Sequence, residues 1–295
     1  MRTWDDRAEN MSLDSSPNAG TAEPLLILEP SRAEKHYWAD LWRYRELFLI
    51  LAWRDVAVRY KQTAIGLLWA ILRPLLTLAA LTVIFHRIAR LPSDGEAPYP
   101  LMVFAALLPW SFFSSTLTEA SNSLVVNANL ISKVYFPRLI VPTATLLTEL
   151  VDMGIGFLLL IGLMAFYQFA PTWNILLLPL FVLLAVLASL GPSLLFASLN
   201  VKYRDFRYVI PFIVQFGLYI SPVGFSSGVV PKDWRLLYSL NPMVGVIDGF
   251  RWAILGGNSR IDWPGFSLSV GVTVVLLWLG ISLFRRTEKT FADLV

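Results

Sequence analysis

The sequence predicts an all-α integral membrane protein. The expected subunit has six transmembrane helices, an N-terminal cytoplasmic amphipathic interface helix, and short re-entrant helices between the fifth and sixth spans. Three observations predict it. Of 295 residues 56% are hydrophobic and only 15% charged, against about 25% charged in soluble domains. The mean hydropathy is +0.60. Apolar stretches long enough to cross a bilayer, about 20 residues at 1.5 Å rise each, recur along the chain. The absence of cysteine excludes disulfides, thiolate metal sites and a cysteine nucleophile, and two histidines leave little for zinc. A net charge of +3 excludes nucleic-acid binding as the main theme.

Residues 1–35 are rich in Asp, Glu, Ser, Pro and Ala and read as a disordered cytoplasmic tail, with one apolar patch, Leu25 to Leu28, between Pro24 and Pro30. Residues 36–63 read as the amphipathic interface helix. Trp38, Trp42, Leu49, Trp53, Val56 and Tyr60 recur at helical spacing, and Asp40, Arg43, Arg54 and Lys61 hold the opposite phase. Indole rings on one side and cations on the other suit the headgroup layer. Residues 64–295 hold six expected spans, near 66–85, 101–124, 139–166, 175–199, 209–225 and 266–284. The second carries Glu119, Ser121, Asn122 and Ser123 in its later half. The fifth is short, with Pro211 and Pro222 near its ends.

Positive charge sets the orientation. One side collects Arg54, Arg59, Lys61, Lys133, Arg138, Lys202, Arg204, Arg207, Arg285, Arg286 and Lys289, which places both termini in the cytoplasm; Arg87 and Arg90 run against the rule. The loop at about 229–257 contains two apolar runs, Trp234 to Leu240 and Met243 to Leu255, each too short to cross. Asn241 as cap and Pro242 as first helical residue separate them, a pattern of two short helices dipping into the outer leaflet. Glu149 and Asp152 lie inside the third span at i, i+3. Intramembrane carboxylates are expensive and mark either a lumen or a paired structural site. Arg251 in the outer loop is a candidate counter-ion. Gly191 with Ser189 and Ser193 permits close helix approach. The chain has no GxxxxGK[ST], GxSxG or HExxH string, so it has neither a nucleotide cradle nor a recognisable catalytic constellation of its own.

Several strings carry a family resemblance. Arg54-Asp55, Arg59-Tyr60-Lys61-Gln62-Thr63, Gly66, Trp69 and Pro74 come first, followed by Asn129 through Arg138 and Pro142. Tyr203-Arg204-Asp205, Ser221-Pro222-Val223, Asn241-Pro242, Arg251 and Phe291-Ala292-Asp293 continue in order. Together they resemble the permease subunits of bacterial ABC exporters for surface polysaccharides, the ABC-type-2 permeases of O-antigen, teichoic acid and capsule. The resemblance implies a homodimer of six-span subunits in the bacterial cytoplasmic (inner) membrane, working with two copies of a separate nucleotide-binding ATPase. This chain would then be no enzyme and hold no cofactor, with ATP and Mg bound by the partner. It further implies a coupling helix at about 129–137 inserting into the ATPase, with Asn129, Leu130, Ile131, Lys133, Val134, Tyr135 and Phe136 as contact residues. Leu130, Ile131, Val134 and Phe136 would otherwise expose apolar surface on a cytoplasmic loop.

A lipid-linked glycan offers a diphosphate and sugar rings. Arg54, Arg59, Lys61 and Arg204 are the candidate cations for the diphosphate. Trp110, Phe112, Phe113, Glu149, Asp152, Phe212, Phe216 and Tyr219 are the channel candidates, and Asn241, Pro242 and Arg251 the outer gate. The expected partners are a second copy, the ATPase, membrane lipids and a lipid-linked polysaccharide, with no nucleic acid and no metal. Three other readings stand beside this one: an ABC exporter of lipids or drugs, an ion-coupled secondary transporter using Glu149 and Asp152, and a membrane glycosyltransferase or lipid-processing enzyme.

Overall fold

The computed structural model describes residues 37–61, 66–93, 95–203, 205–256, 259, 261–288 and 291. The expected tail, Arg204, Ala292 and Asp293 lie outside the described residues. The chain divides into two compact units, Met1–Ala39 and Asp40–Val295. In the first the described residues are Tyr37–Ala39, where the Tyr37 and Trp38 rings meet edge to face at 5.8 Å.

Among the described residues all regular structure is helical. The expected helix at 36–63 is two: α1 (Tyr37–Arg43) and α2 (Arg45–Lys61). They break at Tyr44, whose N–H still reaches the Asp40 carbonyl at 2.9 Å. Trp42, Leu49, Ile50 and Trp53 are exposed, while Leu51 and Ala52 are buried, and α2 packs on α6.

Five helices are long and apolar enough to cross a membrane. They are α3 (Gly66–Leu81), prolonged by a π-helical turn Thr82–Ile88, α4 (Tyr99–Val126), α6 (Ile140–Phe166), α7 (Leu178–Lys202), entered through a 3₁₀ turn Trp173–Leu177, and α11 (Trp263–Glu288). Between α4 and α6 lies α5 (Ala128–Lys133). The span expected at 209–225 is shorter: α8 (Phe206–Ile220) has 15 residues, about 22 Å of helix against an apolar layer of about 30 Å. It stops because Ser221–Gly224 turns inward and is buried. Two short helices form in the loop expected to hold the re-entrant pair: α9 (Lys232–Tyr238) and α10 (Pro242–Leu255). Asn241 caps α10 as its sequence announces: its side-chain oxygen accepts from the Met243 N–H at 3.0 Å, and Pro242 follows at the first helical position.

The core forms around α4. Of its apolar stretch 78% is buried, against 33% or less in the other four long helices, because α6, α7 and α10 all pack on it. Its polar residues divide by face. Asn200 of α7 donates to the Ser121 carbonyl at 3.1 Å and to Asn122 Oδ1 at 2.9 Å, which ties the two helices together. Ser111, Ser115 and Glu119 sit on a different face at i, i+4, i+8.

Helix α7 lies so close to α11 that a Cβ on Gly191 would stand 2.6 Å from the Leu277 nitrogen and 2.8 Å from the Leu276 carbonyl oxygen, and Gly280 faces Gly191 from the other side. The sequence marks Gly191 as a close-approach residue, but its partner Gly280 emerges only in the packing. Gly191→Ala should therefore destabilise by about 1–3 kcal/mol through backbone overpacking. Gly154→Ala, where an added Cβ meets nothing within 4 Å, should be neutral or gain up to about 1 kcal/mol. Thermal unfolding of the two variants in detergent checks the contrast.

Candidate functional site

The site forms where α2 ends beside α6. Glu149 and Asp152 are one helical turn apart, about 14 and 18 Å along α6 from Ile140. Arg59, in the last turn of α2, forks onto both: its Nη2 donates to Glu149 Oε1 at 2.8 Å and its Nη1 to Asp152 Oδ2 at 2.6 Å. The Tyr60 hydroxyl donates to the other Asp152 oxygen. Glu149 is buried, whereas Arg59 and Asp152 are about one-third exposed. Burial opposes the Arg59 charge, but hydrogen bonding and attraction from Glu149 and attraction from Asp152 outweigh it and raise the pKa. Burial, then Asp152, likewise raises the Tyr60 pKa, so its phenol keeps its proton.

This geometry corrects one expectation. The counter-ion of Glu149 and Asp152 is Arg59, not Arg251. Arg251 is fully enclosed and donates to backbone carbonyls instead: Nη1 to Phe225 at 2.9 Å, Nη2 to Val223 at 3.0 Å and Nε to Met102 at 3.3 Å. It thereby pins the turn after α8 onto α4 and α10. Two of the four candidate diphosphate cations have partners within the subunit. Arg59 is committed to carboxylates, and Arg54 donates to Asp55 Oδ1 at 2.8 Å and Asn127 Oδ1 at 3.0 Å, which bridges α2 to the start of α5. Lys61 is exposed on the last residue of α2.

Beside the Arg59 fork a cavity of about 600 Å³ opens between α2, α3, α4, α6 and α8. From α3 it takes Trp69, Arg73 and Thr77, and from α4 Ser111, Ser115 and Glu119; Gln215 comes from α8, Tyr60 from α2, and Glu149 and Asp152 from α6. Sequence reasoning passed over Arg73. Its signal was present, since Arg73 is the single charged residue between Gly66 and Phe85. Pro74 beside it has no N–H to give the Ala70 carbonyl, and both residues border the cavity.

The channel candidates divide. Trp110 and Phe112 border the cavity, with Phe113 buried 5.5 Å from the Trp110 ring. Gly217 of α8 packs against Trp110. Phe212, Phe216 and Tyr219 instead share an exposed face of α8, the first two with rings 4.2 Å apart, and do not border the cavity. Of the outer residues, Asn241 also donates to Ser221 Oγ at 2.9 Å, which joins the start of α10 to the end of α8.

The helix expected at about 129–137 is shorter: α5 ends at Lys133, and Val134 is already extended. Ile131 and Phe136 are buried within the subunit, which leaves Val134 and Tyr135 exposed beside Asn129 and Lys133. The segment is clasped at its exit. The Arg138 N–H donates to Glu288 Oε1 at 2.7 Å, its guanidinium reaches the Glu288 carbonyl, and the same group lies 5.9 Å over the ring of buried Phe291.

Residues 46–255 match the family described as ABC-2 type transporter. The chain belongs to this ABC-2 type transporter family. Among its relatives, the O-antigen export system permease protein RfbA of Myxococcus xanthus is 27% identical over 256 residues, covering 86% of this chain and 97% of that protein. The protein of the same name from Klebsiella pneumoniae is 26% identical over 259 residues, covering 85% and 95%. The polysialic acid transport protein KpsM of Escherichia coli is 26% identical over 245 residues, covering 80% and 91%. The ABC-2 match begins at Glu46 in α2 and ends at Leu255, the last residue of α10. The Arg59 fork, the cavity and the α10 clamp thus all fall inside it.

Removing Arg59 leaves two carboxylates with no cation between them. Arg59→Ala is expected to cost about 3 kcal/mol, the lower end for breaking a buried pair. Arg59→Ala with Glu149→Leu should recover part of that loss. Melting temperature and the monodisperse fraction in detergent test it, and no recovery in the double variant would show that Glu149 is not what Arg59 stabilises.

Proposed function

We propose that this chain is the channel-forming subunit of an ATP-driven exporter that moves a lipid-linked polysaccharide across the bacterial cytoplasmic membrane. One observation carries the reading: the chain matches permeases named for O-antigen export and polysialic acid transport over 91–97% of their length. A charged and aromatic cavity set among apolar helices fits a polar cargo. Two copies of this chain work with two copies of a nucleotide-binding ATPase, which holds ATP and Mg; this chain supplies no catalytic group. Both termini face the cytoplasm. Helix α8, with the buried turn after it, makes the sixth crossing, α2 lies at the membrane surface, and α9 and α10 form the outer re-entrant pair and gate.

In this reading the segment from Asn129 to Phe136 docks on the ATPase. Ile131 and Phe136 root it in the subunit, while Val134 and Tyr135 supply the apolar contact and Lys133 the charged one. ATP-driven movement of the partner then reaches the bundle at two ties, Arg54 to Asn127 before the segment and Arg138 to Glu288 after it. An ion-coupled transporter needs carboxyl groups that exchange protons or ions. The Arg59 fork instead commits Glu149 and Asp152 to a fixed cation, which favours the ATP-driven reading.

Two measurements test the proposal. The tagged chain, extracted in mild detergent from its host, should bring down a P-loop ATPase in equal amount, and deleting its gene should remove a surface polysaccharide. Recovery without an ATPase, under conditions that keep a known ABC complex intact, would end the exporter reading. Tyr135→Asp should abolish co-purification of the ATPase without lowering the melting temperature of the membrane subunit. Ile131→Asp should unfold the segment itself, since a charge there is buried.

A further inference from the structure

The cavity beside Arg59 carries more than a general polar path. It offers two cations, Arg59 and Arg73, and three carboxyl groups, Glu119, Glu149 and Asp152. A diphosphate carries several negative charges and needs cations in excess, which this site does not provide. Arg59 is also spent on two of the carboxylates. What remains is of mixed sign: among the described residues, Arg73 and Glu119 make no side-chain hydrogen bond or ion pair, and both are exposed to the cavity. Along α3, Trp69, Arg73 and Thr77 repeat every four residues and so share one helical face. Along α4, Ser111, Ser115 and Glu119 do the same.

That combination has a chemical meaning. A neutral sugar unit is dense in hydroxyls that donate and accept at once, and flat and apolar on its C–H faces. Recognising one requires donors and acceptors together with an aromatic plate. Arg73 supplies donors only, Glu119 and the second Glu149 oxygen acceptors only, and the Ser111 and Ser115 hydroxyls both. Trp69, more than half exposed, presents an indole. The volume lies within the range of about 300–1,000 Å³ typical of small-ligand sites. Resting on the export reading above, we propose that this cavity is a saccharide-binding subsite, which holds a sugar unit of the cargo and not its diphosphate. Trp69, Arg73 and Glu119 are its recognition residues. The permease itself, and not its ATPase alone, then discriminates among glycans.

The test uses the complete permease–ATPase complex in lipid nanodiscs. The probe is a phosphate-free oligosaccharide, released from the host's own surface polysaccharide by mild acid and followed by saturation-transfer NMR. The wild-type complex should bind it, and millimolar pyrophosphate should not displace it. Arg73→Ala and Glu119→Ala should each weaken binding roughly tenfold or more, the loss of one hydrogen bond to a charged group. Neither residue has an internal bond to lose, so the elution profile and melting temperature should stay at wild-type values, and Trp69→Phe should retain more binding than Trp69→Leu. Absence of binding to the wild-type complex, displacement by pyrophosphate, or unchanged affinity in both alanine variants overturns the assignment. A deletion strain separates the two levels. If it still displays the polysaccharide, the export reading fails. If the polysaccharide is lost on deletion and the alanine variants bind the fragment as the wild type does, export stands and the saccharide subsite falls.

Discussion

A carboxylate far from water must find a cation or lose its charge, and the fork of Arg59 onto Glu149 and Asp152 meets that demand. The rest of the cytoplasm-directed architecture proposed above depends on it. The fork ties the end of α2 to the middle third of α6, so a helix with exposed tryptophans is anchored to a helix with a mean hydropathy of 2.0 in its apolar stretch. It also fixes one wall of the cavity, because Arg59, Tyr60, Glu149 and Asp152 border it together.

The opposite end of the bundle is organised by another buried cation with a different kind of partner. Arg251 meets three backbone carbonyls, so it stabilises a bend. Bent backbone within an apolar bundle leaves carbonyls without helical donors, and a guanidinium with its five N–H groups is well suited to cover several at once. The α8 terminus, the Ser221–Gly224 turn and α10 thereby form one hydrogen-bonded unit, closed further by Asn241 on Ser221. Between the two ends, α4 carries both functions. Its Ser121 carbonyl and Asn122 side chain accept from the Asn200 amide inside the protein, and its Ser111, Ser115 and Glu119 turn to the cavity.

Much of this was legible beforehand because bilayer crossing leaves a one-dimensional signal. Five long helices fall within a few residues of their hydropathy limits, and Asn241-Pro242 announced the start of α10 through purely local chemistry. Pairings across the chain were not legible. Arg59 and Glu149 stand 90 positions apart, and charge alone nominated Arg251 equally well. The early end of α8 escaped for a related reason, as tertiary hydrogen bonds to Ser221 and Val223 hold the turn that follows it and periodicity does not announce them. Apolar residues between Asn129 and Phe136 read as a surface awaiting a partner, yet Ile131 and Phe136 are consumed within the subunit. Arg73 was visible as a lone charge in an apolar run, but its weight depends on the stripe of α4 that faces the same cavity.

The shortness of α8 has a consequence for the lipid around it. Fifteen residues provide about 22 Å of helix, some 8 Å less than the hydrocarbon layer they cross in the proposed arrangement. Acyl chains beside this flank must compress or tilt to meet it, at fractions of a kcal/mol for each ångström of mismatch. In that arrangement the exposed aromatic face of Phe212, Phe216 and Tyr219 would stand beside the thinned lipid.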